Sequence, residues 1–140
     1  MKKSQISKTT QSEFRLIGIS AAVRDYRLCW LLNDLLSVDL KRIENIQLDN
    51  PKKQTHVEFA HFVFENEIMQ QSMRVIANRA EKEFFIAEMP KADFLLLLNG
   101  EWGANEIKLI FSKLKSCAEI DISFEINQSL IRNKSQLELI

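Results

Sequence analysis

The apolar pattern of this chain predicts an α+β fold. It reads as a two-layer sandwich, a mostly antiparallel sheet of about six strands with two helices on one face. Three observations lead there. Residues 25–38 and 105–117 repeat apolar side chains at helical spacing. Four runs rich in β-formers, separated by turn residues, lie between them. One strand-like run precedes the first helix and another follows the second.

Residues 14–21, FRLIGISA, open the fold as a strand. Phe14, Leu16, Gly18 and Ser20 share one face; Arg15, Ile17, Ile19 and Ala21 share the other. Apolar residues on both faces place this strand inside a sheet. In 25–38, Leu28, Leu31, Leu32, Leu35 and Leu36 form one helical stripe. Asp25 stands at its start, as a cap or as a first-turn acid facing the helix dipole. Residues 41–51 are polar with isolated Ile43, Ile46 and Leu48, and read as a loop or irregular extension.

Residues 57–64, VEFAHFVF, form a strand, 65–67 a turn and 69–77 a second strand. A turn at 78–82 leads to short strands at 84–88 and 93–98, set around Met89 and Pro90. Successive turns of this length imply a meander. In 105–117, Ile107, Ile110, Phe111 and Leu114 are in register, with Glu106 near the start and Lys113 and Lys115 near the end, as the macrodipole favours. In 119–127, Ile120, Ile122, Phe124 and Ile126 alternate with Asp121, Ser123, Glu125 and Asn127, which predicts one buried and one wet face.

The order is β-α-β-β-β-β-α-β. Removing one hairpin leaves β-α-β-β-α-β, the ferredoxin-like order. Residues 1–12 read as a disordered N-terminal tail, and 13–140 as a single domain.

Composition narrows the function classes. Nineteen Lys and Arg balance nineteen Asp and Glu, so the whole molecule carries no electrostatic footprint for nucleic acid or anionic membrane. A neutral surface favours a partner or an oligomer. The longest apolar run, 94–98, is far too short for a membrane span, and no apolar stretch follows Lys2 and Lys3 as in a signal peptide. Cys29 and Cys117 then read as reduced thiols, and the expected location is cytoplasmic.

Glu88 and Asp93 bracket Pro90 between two apolar runs. Paired carboxylates can share a proton or hold a cation, provided they converge. The alternative is a turn, with Asp93 accepting backbone N–H bonds and Glu88 pairing with an arginine. His56 and His61 are five apart in a strand and point to opposite faces, so they do not share a metal. No Gly-x-Ser-x-Gly motif surrounds a serine, and Gly18, Gly100 and Gly103 build no phosphate loop. No catalytic residue, metal ligand or cofactor is assigned. Phe59, Phe62, Phe64, Phe84 and Phe85 lie on strand-like runs where RNA-binding sheets carry stacking rings, but the basic-Gly-aromatic signature is absent. Tyr26, Arg27 and Trp30 form the other dense block. Tyr26 and Trp30 share a helix face, and Trp30 lies off the leucine stripe; it either packs on the meander or stands exposed as a binding anchor, since these residue types dominate interface hot spots.

The run Ile86-Ala87-Glu88-Met89-Pro90-Lys91-Ala92-Asp93-Phe94 resembles the naming motif of the IPExxxVDY family, small Bacteroidetes proteins of unknown function. Ile86, Glu88 and Asp93 match at the right spacing, while Ala87, Ala92 and Phe94 replace Pro, Val and Tyr. The block DYRLCWLLN and the opening FRLIGIS are also similar to that family, so the resemblance spans about 14–127. It implies a bacterial, cytosolic, single-domain protein, and the family has no established activity to carry over. Phe94 in place of Tyr favours a packing role for the motif over a catalytic one.

The function read from the sequence is a non-catalytic binding or adaptor module, with Tyr26, Arg27, Trp30, Glu88 and Asp93 as binding candidates. Its partner would be a protein or a second copy, without membrane and without nucleic acid. One alternative is a small hydrolase or metal-dependent enzyme using Glu88 and Asp93. Another is RNA binding through the aromatic meander.

Overall fold

The computed structural model describes residues 14–131. The expected N-terminal tail, 1–12, and the C-terminal residues from 132 lie outside the described residues. The elements run β1 (Arg15–Ser20), α1 (Asp25–Leu36), β2 (Lys41–Asn50), β3 (Thr55–Asn66), β4 (Gln71–Ala77), β5 (Arg79–Ala80), β6 (Glu83–Phe84), β7 (Phe94–Gly100), α2 (Ala104–Ser116) and β8 (Ile122–Glu125). A short 3₁₀ turn, Gln128–Leu130, follows.

Six strands form one sheet in the order β2-β3-β4-β7-β1-β8, and every neighbouring pair is antiparallel. Strands β5 and β6 form a separate small hairpin. The α+β class and the two helices on one face stand as expected. Setting β2 and β3 aside leaves the spatial order β8-β1-β7-β4. Strands β1 and β4 are both antiparallel to β7, and β7 and β8 are both antiparallel to β1. Each helix therefore stands between two parallel strands that enclose a third, the split βαβ arrangement. The hairpin that separates this chain from the ferredoxin-like order is β2–β3.

Two segments differ from the sequence reading. Residues 41–50 are a ten-residue strand, not a loop. The alternation is hidden by a bulge: Ile43 pairs with His61, but Ile46 pairs with Phe59, so one extra residue is inserted. With that residue discounted, Ile43, Ile46 and Leu48 all lie on one face. The second difference is 84–88, of which only Phe84 is in a strand. Phe85 and Ile86 instead turn down onto the sheet and are fully buried.

The sheet is apolar on both faces. On one face, Ile17, Ile19, Phe62, Met73, Val75, Leu96 and Leu98 pack against Leu28 and Leu32 of α1 and Ile107, Ile110 and Leu114 of α2. On the other, Leu16, Phe59, Ile76, Leu95 and Leu97 lie under Phe85, Ile86, Ala92, Ile126 and Ile131. An irregular cover thus takes the place of helices on that face. Phe59 and Phe85 meet edge to face, with centroids 5.5 Å apart. The unbroken run of β7, FLLLL, is buried on both sides.

Strand β8 is one of the two sheet edges, and its alternation is only partly realised. Ile126 is buried, Phe124 is half-buried, and Ile122 is exposed beyond the reach of the cover. Phe124 sits over Gly18, where a Cβ would lie 2.5 Å from the ring Cζ. The glycine is what lets the ring close over β1. Among the described residues no helix is long and apolar enough to cross a membrane.

Candidate functional site

The leucine stripe of α1 faces the core, and this turns residues 26 and 30 outward. Tyr26 is 65% exposed and Trp30 is 58% exposed. Those values matter because large aromatic side chains at adjacent helical turns are normally covered. Arg27 lies between them in sequence, and its guanidinium stands 5.0 Å from the centroid of the Trp30 ring. The same guanidinium is held from behind. Its Nε donates to Glu119 Oε2 at 3.1 Å and its Nη2 to Glu119 Oε1 at 2.8 Å. That hydrogen bond raises Arg27 and holds the Glu119 carboxyl below its usual range. The pair is half exposed, so its contribution to stability is small. Its effect is positional: it fixes the ring and the cation relative to each other. Glu119 follows α2, ninety-two positions from Arg27, and no local pattern could have marked it.

Asp93 has a different setting. Its Oδ2 accepts the Ala21 backbone N–H at 2.9 Å, and Ser20 Oγ lies 3.5 Å away. Its Oδ1 is 2.8 Å from Arg79 Nε. Its own N–H donates to Ile19 O, and its carbonyl accepts from Asn78 N. Asp93 therefore clamps the β1–α1 turn to the end of β4. Arg79 extends the clamp: Nη2 donates to Pro90 O at 2.9 Å, and its guanidinium lies over Phe84. Glu88 is half-buried within the irregular cover. The turn reading anticipated backbone bonds to Asp93, but the donor is Ala21, across the fold, and not the turn itself.

The residue at the centre of this joint is Asn78, which the sequence marked only as part of a turn. It is fully buried. Its Nδ2 donates to Met89 O at 3.0 Å and Ala92 O at 2.9 Å, with Ile86 O at 3.4 Å. Its Oδ1 accepts from Ile86 N at 2.7 Å. One amide thus supplies backbone partners that the segment 86–92 does not find in a strand.

The remaining candidates do not assemble. Among the described residues no three His, Cys, Asp or Glu side chains are grouped to hold a metal ion. His56 is exposed between Asp49 and Glu58, at 2.5 Å and 3.3 Å, whereas His61 is buried on the opposite face. Phe59, Phe62 and Phe85 are buried, and Phe64 and Phe84 are half-buried, so the rings needed for base stacking are mostly inside the protein. Burial pushes the Cys29 thiol up to about 12, which makes it inert as a nucleophile.

The fold and its surface define an α+β domain with a split βαβ core and one braced, exposed aromatic helix face. The chain matches no protein-family model and no curated protein.

Proposed function

We propose that this protein is a non-catalytic binding or adaptor module whose contact surface is the outer face of α1. The observation that carries the reading is the exposure of Tyr26 and Trp30, with Arg27 stacked on Trp30 and braced by Glu119. Tyr, Trp and Arg are the residues that most often anchor protein interfaces, and Tyr and Trp bury large area with little rotamer entropy to lose. A rigid helix and a pinned guanidinium lower the ordering cost of binding further. The sheet edge is the weaker contact surface, since β2 is bulged and carries exposed Lys41, Arg42 and Glu44.

The partner is a protein, in a cytoplasm whose reducing conditions suit two free cysteines, Cys29 and Cys117. The reading takes in membership of the IPExxxVDY family as well. It treats Glu88 and Asp93 as residues that maintain the fold, because Asp93 is committed to Ala21 and Arg79.

Affinity capture with the native protein and with Tyr26→Ala/Trp30→Ala tests it. Both side chains are exposed, so melting temperature should stay within a few degrees. A partner retained by the native chain should be lost by the variant and bind the purified native chain directly. Capture of the same partner by both proteins would remove this face from the account.

A further inference from the structure

We infer that the outer face of α1 pairs antiparallel with the same face of a second copy of this chain, with Trp30 at the centre and Arg27 meeting the partner's Asp34. The inference rests on the reading of α1 as the contact surface, and it names the partner.

The helical period fixes what that face carries. Tyr26, Trp30 and Asp34 follow one another at steps of four residues, and all three are exposed. Arg27 and Asp34 are seven residues apart, two helical turns, so they stand on one side of the face. Trp30 lies between them, three residues after the arginine and four before the aspartate. Opposite charges are thus set almost evenly about the ring, the positive one toward the start of α1 and the negative one toward its end.

That spacing is self-complementary. A two-fold axis lying in the interface, at right angles to α1 and level with Trp30, reverses the partner helix and keeps each side of the face together. Each Arg27 then comes level with the partner's Asp34, and the contact forms twice. A parallel pair sets Arg27 level with the partner's Arg27 and leaves Asp34 without a cation. Both groups have capacity for the contact. Among the described residues Asp34 forms no ion pair. Arg27 gives Nε and Nη2 to Glu119, and among the described residues its Nη1 has no acceptor. Arg24 stands exposed at the same end, also with no ion pair among the described residues. Asp25 there is half-buried, and its Oδ1 accepts the Tyr26 N–H. An arriving carboxylate therefore meets two outward guanidinium groups against the one carboxylate of Glu119.

Burial of Tyr26 and Trp30 supplies the attraction, and the charges set the register. Net charge is zero, so no long-range repulsion keeps two copies apart. The area is modest. The 12 residues of α1 span about 18 Å, and one face of such a helix offers less than the roughly 800 Å² per partner of a standard interface. The dimer is accordingly weak, with a Kd of about 10–100 μM.

Sedimentation equilibrium of the full chain, from about 5 to 500 μM, tests the pairing. The native protein should pass from monomer to dimer across that range. Trp30→Ala, Asp34→Lys and Arg27→Glu should each weaken association about tenfold or more. An equimolar mixture of Asp34→Lys and Arg27→Glu should associate about tenfold more tightly than either alone, because the mixed pair restores opposite charges at both contacts. A native protein that stays monomeric at the highest concentration overturns the inference. So does native affinity in Trp30→Ala or Asp34→Lys, or a mixture no tighter than its components. If Arg27→Glu does not fold, the other two variants decide. A monomer that still captures a different protein through Tyr26 and Trp30 overturns the second copy alone and leaves α1 as the contact surface. A monomer whose capture ignores both residues removes both readings.

Discussion

Asn78 shows how much of this fold rests on one side chain. It is fully buried, and its amide serves three carbonyls and one N–H of the cover over the sheet. Replacing it with alanine strands those groups away from water, and each stranded group costs about 1–3 kcal/mol. Asn78→Ala should therefore lose about 3 kcal/mol or more of unfolding free energy, measured by urea denaturation. A loss below about 1 kcal/mol would mean that apolar contacts alone hold the cover. The sequence placed Asn78 at a turn, and it is at one. Its partners lie eight to fourteen positions away, outside the reach of any turn pattern. The same limit hid Glu119 and the bond between Arg74 and His61.

At the scale of elements, α1 shows what local chemistry does determine. Its stripe buries Leu28, Leu31 and Leu32, as the spacing requires. Its end is less favourable. Ser37 closes the helix at φ 54°, in the left-handed region where glycine is the usual residue. Asn33 then fixes the exit, with Oδ1 accepting Leu40 N at 2.8 Å, so the left-handed turn is held by the chain that follows. Ser37 is exposed and its side chain can be removed without loss of packing. Ser37→Gly should raise stability by roughly 0.5–1 kcal/mol, a gain of roughly 2–5 °C in melting temperature by calorimetry. An unchanged or lower melting temperature would show that serine carries no strain there. Strand β2 is the opposite case. A single inserted residue between Ile43 and Ile46 breaks the two-residue period, and the period is what a strand shows in sequence.

Across the whole molecule, the two histidines sit on opposite sides of the sheet and respond to pH with opposite signs. His61 is buried and lowered from 6.5 to about 4. Between those values the unfolded chain binds a proton that the folded chain refuses. The stability from His61 is fully present above pH 6.5 and is lost as pH falls toward 4. The loss should be about 2 kcal/mol, allowing for partial water access. His56 is raised, first by its bond to Asp49 and then by Glu58. Its contribution is present below pH 6.5 and is lost as pH rises through the folded value. Denaturation midpoints from pH 4 to 7 should fall toward acid more steeply in the native protein than in His61→Gln. Parallel profiles would contradict a buried neutral His61.

The amino-acid sequence by itself determined the class, the two helical faces and the strands β1, β3, β4 and β7. The helices rest on a period of 3.6 residues and the strands on alternation or, in β1 and β7, on a short apolar run, and a short window carries each of these in full. Tertiary structure alone decided that 41–50 pairs as an edge strand and that 85–92 covers the second apolar face. It also decided that Tyr26 and Trp30 stay outside, that Asp93 is a clamp, and that Arg74 has a neutral ring for company. Those outcomes depend on contacts between residues far apart in the chain. Such contacts form only when the sheet order brings them together, and no local pattern of side chains encodes that order.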